Sequence, residues 1–224
     1  MNKNIFVACD VSTQKEILTL LELIHEDISG IKIGLQYITR RSPEEIRALS
    51  KFNKPIFYDG KFFDIKNTLI ESIKSLEELN ISYATVHLLN GLDSLKAANE
   101  AAQKINLNLL GVSILTSFGN DDLFNLGFKD KMEDQVKRLI KIAMTANLYG
   151  VICSPLEIKM IKEIAPKLKC FTPGIRFNDN KDDQVRIMNP NDAIKAGSDC
   201  LIIGRPITIG DPKKNIQKIL SSID

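Results

Sequence analysis

Short apolar runs rich in Ile, Val and Phe recur along the chain, at residues 5–10, 30–35, 55–60, 83–89, 108–116, 150–154, 169–175 and 200–207. Between them apolar residues fall three and four apart, as in Ile17, Leu20, Leu21 and Ile24, in Leu69, Ile73 and Leu76, and in Ile140, Met144 and Leu148. That is the spacing of one buried helix face. Strand and helix therefore alternate. Near-continuous apolar strands separated by amphipathic helices predict a parallel sheet covered on both faces, because parallel pairs need long crossovers. Eight such units favour a closed (β/α)8 TIM barrel. An open doubly wound sheet is the competitor, but no GxGxxG turn follows the first run. No interior linker appears, so residues 1–224 read as a single barrel domain. Two connections are longer than the rest, 117–130 and 176–188, and long loops in compact domains are usually functional.

Composition narrows the partners. Thirty Lys and Arg stand against 28 Asp and Glu, a net charge of +2, which gives no general pull toward nucleic acid or an anionic membrane. Any anion must be held locally. No stretch of about 18 apolar residues exists and the N-terminus has no signal-peptide pattern, so a cytoplasmic protein with no membrane association is expected. Cys9, Cys153, Cys170 and Cys200 are far apart, unlike metal or redox CxxC spacing, and read as buried thiols.

Chemistry in such a barrel sits at the C-terminal ends of the strands. There the first run ends in Asp10, the second carries Lys32, and the third reads PIFYDGKFFD, with Asp59 and Lys61 two apart and so on one strand face. Three neighbouring strands thus present alternating charge, which satisfies each partly buried ion with an opposite neighbour. Taken singly, Lys32 could reach solvent, Asp10 could close a turn, and Asp64 could cap the following helix, with Thr68 one turn beyond it. Four ionisable groups on three consecutive apolar strands favour a functional set. His87 ends the fourth run on the same face and reads as a structural or supporting histidine, whereas His25, among charged neighbours, reads as surface. The seventh and eighth runs both lead into Gly and Arg, where barrels often bind phosphate; Arg176, Gly204 and Arg205 fit that role, with Gln184 a neutral donor from the 176–188 loop.

These residues resemble bacterial orotidine 5'-phosphate decarboxylases across essentially the whole chain. The similarity rests on the DxKxxDIxNT block from Asp59 to Thr68, KIG around Lys32, LTS at Leu115 to Ser117, TPGIR at Thr172 to Arg176, DQ at Asp183 and Gln184, and GRPIT at Gly204 to Thr208. The resemblance implies a homodimer, free of cofactor and metal, that converts orotidine 5'-monophosphate (OMP) to uridine 5'-monophosphate (UMP), the last step of de novo UMP synthesis. It implies that Asp10 and Lys32 bind the ribose hydroxyls and that Asp59, Lys61 and Asp64 form the catalytic network, with Lys61 the proton donor. Asp64 and Thr68 would be lent across the dimer interface. Thr116 would contact the pyrimidine with Ser117 beside it, Pro173 would line the pocket, and Arg176, Gln184, Gly204 and Arg205 would hold the phosphate. The 176–188 loop would be the lid. The chain departs from the pattern at Phe63, Lys66 and Cys9, and at Leu88, Leu89 and Asn90, where the family tends to small residues and glycine.

Overall fold

The computed structural model describes residues 4–177 and 186–223. Eight parallel strands close into a barrel in chain order: β1 (Ile5–Ala8), β2 (Gly30–Gly34), β3 (Ile56–Phe62), β4 (Tyr83–His87), β5 (Asn108–Val112), β6 (Gly150–Ile152), β7 (Lys169–Thr172) and β8 (Cys200–Ile203). β8 pairs with β1 through Ile202 and Phe6, so the sheet has no open edge. The (β/α)8 TIM barrel is thus the fold, and all eight apolar runs supply its strands.

The helices cover the outside as their periodicity requires. Helix Gln14–Ile24 starts at a Thr13–Glu16 capping box and buries Ile17, Leu20, Leu21 and Ile24 against the sheet. Helix Met132–Thr145 buries Val136, Leu139, Ile140 and Ala143. Met144, expected on that face, is instead 44% exposed. A 100° step per residue carries it to the edge of the stripe set by its neighbours. Four returns from helix to strand use one device, a left-handed asparagine (Asn53, Asn80, Asn106 and Asn147) shortly before β3, β4, β5 and β6. Each donates its N–H to the carbonyl three residues back, ending the helix so that the chain can turn into the barrel.

Inside the barrel, Phe6, Phe57, Tyr83 and Phe171 meet edge-on or tilted, with centroids 5.4–6.5 Å apart. Ala8, Leu110 and Ile202 belong to the same interior cluster. The barrel is therefore plugged, and a ligand can enter only from its ends. The four cysteines are buried free thiols. His25, read as surface, is half-buried at the barrel's outer edge, with Nδ1 3.0 Å from Leu21 O and its ring 5.4 Å from that of Phe52. Among the described residues no helix is long and apolar enough to cross a membrane.

Candidate active site

A cavity of about 580 Å³ opens at the C-terminal ends of the strands. Asp10, Lys32, Asp59, Lys61, Thr116, Ser117, Pro173, Arg176, Gly204 and Arg205 all line it. A larger recess of about 730 Å³ lies at the opposite end, among Asn4, Lys54, Tyr149 and Asp199. Asp199 there is already engaged by Lys162 at 2.5 Å and Lys169 at 3.0 Å. That end reads as structural, and the C-terminal cavity holds the convergent polar groups expected of a reactive site.

The expected row of alternating charge is present. Lys32 Nζ stands 3.1 Å from Asp10 Oδ1 and 3.6 Å from Asp59 Oδ2, and Lys61 Nζ donates to Asp59 Oδ1 at 2.9 Å. The Lys32 and Asp59 side chains are only 9% and 14% exposed. Burial pulls the Lys32 ammonium down, but Asp59 and Asp10 outweigh it and its pKa ends above the ordinary lysine value. Burial likewise pushes Asp59 up, and Lys32 and Lys61 overcome this to hold it below the usual aspartate value. Both groups therefore remain charged at neutral pH. The backbone makes room for them: a Cβ on Gly34 would stand 2.9 Å from both Asp10 Oδ1 and Lys32 Nζ.

Asp59 and Lys61 do converge, but simple strand alternation is not the reason. The pairing of β3 with β4 shifts register between Tyr58 and Phe62, and Lys61 sits at φ +48°. Among the described residues every other non-glycine at positive φ is an asparagine. A lysine held there stores about 1–3 kcal/mol of strain, a cost concentrated at functional positions. Gly60 makes the distortion possible, since a Cβ there would lie 2.7 Å from the Tyr58 ring, which stacks on Phe62 across it at 5.7 Å. Thr85 of β4 locks the result, donating to Asp59 Oδ1 at 3.0 Å while its oxygen accepts the Lys61 N–H at 2.8 Å.

Asp64 and Thr68 are exposed and lie outside the cavity lining. Capping does not account for Asp64. Helix Lys66–Lys74 has Ile65 at its N-cap and no side-chain cap bond. The Asp64 carboxylate instead accepts the Ile65 N–H at 2.7 Å, and its own N–H donates to Asn90 Oδ1 at 3.1 Å. Asn90 also donates to Phe62 O at 2.9 Å and His87 O at 2.8 Å, tying the ends of β3 and β4 together. Around Asp64 lie Phe63 and Ile65, 64% and 73% exposed. His87 is outside the lining; its Nδ1 accepts the Leu89 N–H at 3.3 Å, and burial, then Lys61, lowers its pKa.

On the far side of the mouth, Pro173, Gly174 and Arg176 follow β7, and Gly204 and Arg205 follow β8. The Arg176 N–H donates to Met188 O at 2.9 Å, and the Met188 N–H to Gly174 O at 3.1 Å, so the two stems of the 176–188 loop are joined. Gln184 and Asp183 lie outside the described residues, as does the loop's span 178–185. Sequence reasoning passed over Thr85, Arg186 and Glu157, and noted Asn90 only as a departure from the family pattern without assigning it a role. Thr85 lies two residues before His87 on one strand, and that spacing could have flagged it.

A family model described as "Orotidine 5'-phosphate decarboxylase / HUMPS family" matches residues 3–219. An orotidine 5'-phosphate decarboxylase of Wolbachia pipientis is 36% identical over 221 residues, covering 98% of each chain. One from Ehrlichia canis is 37% identical over 222 residues, covering 98% of this chain and 97% of that one. The crystal structure of the Lactobacillus acidophilus orotidine 5'-phosphate decarboxylase superposes with a TM-score of 0.87 at 30% identity, covering 100% of both chains. Matched by the family model over residues 3–219 and by relatives over nearly its whole length, the chain belongs to the orotidine 5'-phosphate decarboxylase / HUMPS family.

Proposed function

We propose that the chain decarboxylates OMP to UMP in pyrimidine synthesis, without cofactor or metal, through the row Asp10–Lys32–Asp59–Lys61. The observation that carries this reading is that row itself, every member ion-paired and its inner pair Lys32 and Asp59 nearly buried, facing a cavity that also receives Arg176, Gly204 and Arg205. A nucleotide suits such a site: the arginines and the glycine backbone take the phosphate, Asp10 and Lys32 the ribose hydroxyls, and Thr116 and Ser117 the pyrimidine edge.

Loss of CO2 from C6 breaks the C–C bond and leaves its electron pair on a ring carbon that delocalises it poorly. Fixed charge must therefore lower the barrier. The substrate carboxylate, seated beside Asp59, is repelled, and its departure relieves that repulsion. Lys61 Nζ, held at 2.9 Å from Asp59, faces the developing carbanion and donates a proton to C6; the amine regains it from water. Binding energy gathered at the phosphate, far from the bond broken, offsets the cost of crowding the two carboxylates.

The site is completed by a second copy. Asp64 and Thr68 are exposed beside the apolar surface of Phe63 and Ile65, which supports a homodimer in which each protomer lends its Asp64 to the other's cavity. The deciding experiment follows the loss of orotidylate absorbance with purified protein, with and without chelator. Chelator-insensitive turnover is expected. No turnover, or turnover that chelation abolishes, would overturn the proposal.

A further inference from the structure

Arg186 belongs to none of the motifs invoked above, yet its guanidinium joins three loops around the cavity. It leaves the chain two residues before Met188, whose backbone is bound to Gly174 and Arg176. Its Nη2 donates to Leu115 O at 3.0 Å, its Nε lies 3.4 Å from Thr116 O, and its Nη1 pairs with Glu157 Oε1. Glu157 is anchored in turn, its second oxygen accepting the Ser154 N–H at 3.0 Å just beyond β6. The two side chains are 13% and 8% exposed. A buried ion pair is a poor source of stability compared with apolar packing, so its presence among cavity loops calls for another explanation.

The backbone supplies one. In a trans peptide the C=O and the following N–H point in opposite directions within one rigid plane. A guanidinium that holds the Leu115 and Thr116 carbonyls on one side therefore turns the N–H groups of Thr116 and Ser117 to the other. Leu115, Thr116 and Ser117 all line the cavity. We propose that Arg186 is a positioning residue that orients the 115–117 backbone to read the pyrimidine ring of the nucleotide, while leaving the phosphate subsite to Arg176 and Arg205. This inference rests on the nucleotide reading of the site given above.

The test compares Arg186→Lys and Arg186→Ala with the wild type, using UMP and ribose 5-phosphate as competitive inhibitors of OMP turnover. Lysine keeps the charge opposite Glu157 but, as a single point donor, cannot span both carbonyls. For Arg186→Lys, kcat/KM is expected to fall and the inhibition constant for UMP to rise by roughly tenfold, with that for ribose 5-phosphate unchanged. Arg186→Ala, if it folds, shows the same split, enlarged. Equal weakening of both inhibitors, or wild-type behaviour in Arg186→Lys, would overturn the inference. Failure of the wild type to turn over OMP would instead strike the reading beneath it.

Discussion

Replacing Asp59 by asparagine separates the structural and chemical work of the charged row. The substitution keeps an acceptor for Lys61 and Thr85 and removes one negative charge between two lysines at 2.9 and 3.6 Å. Lys61 is 34% exposed and regains water, but Lys32, 9% exposed, is left with Asp10 alone, itself half in solvent. Breaking a buried pair by removing one partner costs about 3–5 kcal/mol, and the remaining contact with Asp10 sets the lower end, about 3 kcal/mol. In a chain of this size that lowers the thermal midpoint by about 6–12 °C. Chemistry changes in the other direction for binding. A substrate carboxylate about 4 Å from Asp59 would feel about 4 kcal/mol of repulsion at an effective dielectric near 20. Asp59→Asn should therefore bind OMP more tightly while kcat falls roughly a thousandfold. Calorimetric binding of OMP, single-turnover kinetics and a melting curve measure all three. Weaker OMP binding together with the lower kcat would refute repulsion as the driving term and leave Asp59 only a role in holding Lys61.

Further outcomes follow from the same geometry. Lys61→Ala should abolish turnover in a folded protein, with at most about 3 kcal/mol of stability at stake at this strained position, as a melting curve would check. Mixed with Asp64→Ala, it should recover about a quarter of wild-type activity, because half the dimers are hybrids and each carries one intact site; no recovery on mixing would argue against a shared site. Arg205→Ala should reduce kcat/KM by roughly 10–100-fold by removing charge-assisted bonds to phosphate, while kcat/KM for the phosphate-free nucleoside stays unchanged. Stability should also follow the two perturbed groups. Asp59, held below its ordinary 3.8, contributes stabilisation that is complete above that pH and lost as the pH falls through its depressed value. Lys32, held above its ordinary 10.5, contributes stabilisation complete below that pH and lost as the pH rises past its elevated value. Melting midpoints measured across pH should accordingly show the gap between wild type and Asp59→Asn shrinking in strong acid, where Asp59 gains a proton, and again in strong alkali, where Lys32 loses one, and holding steady between.

The barrel was readable because parallel strands are buried on both faces, and the apolar runs mark all eight. Their ends were not readable by the same signal. The run 108–116 continues four residues past β5 because Ile114 and Leu115 wall the cavity instead of extending the sheet. The run 200–207 passes beyond Ile203 into the short helix Arg205–Thr208, where Ile207 is buried. Hydrophobicity records burial, and burial at the mouth of a barrel no longer implies a strand. Among the site residues, charges on apolar strands stood out because nothing else explains them there. Thr85 did not, since threonine is an ordinary strand former. Arg186 lies in a loop and Glu157 in the 3-10 turn Pro155–Glu157, both in connections where charge is expected to be solvated, and only the fold brings them together.

The departure at Leu88, Leu89 and Asn90 shows how far a local difference can be absorbed. Leu88 is fully buried, and the space it occupies is left by the missing side chain of Gly111, whose Cβ would lie 2.5 Å from Leu88 Cδ2. Volume at one position is thus matched by its absence at the other, the condition under which a core accepts a larger residue. Asn90 then takes up a task that a glycine lacks the atoms to perform. Its amide donates to the carbonyls ending β3 and β4, and its oxygen receives the N–H of Asp64. The segment that carries the exposed carboxylate is therefore fixed from the turn that follows β4, while Thr85 fixes the strained Lys61 from the strand itself. β4 and the turn after it contribute no charge to the row, yet Thr85 and Asn90 set the geometry of Lys61 and Asp64 at the end of β3, so substitutions at these two positions should act on the placement of the ions and not on their charge.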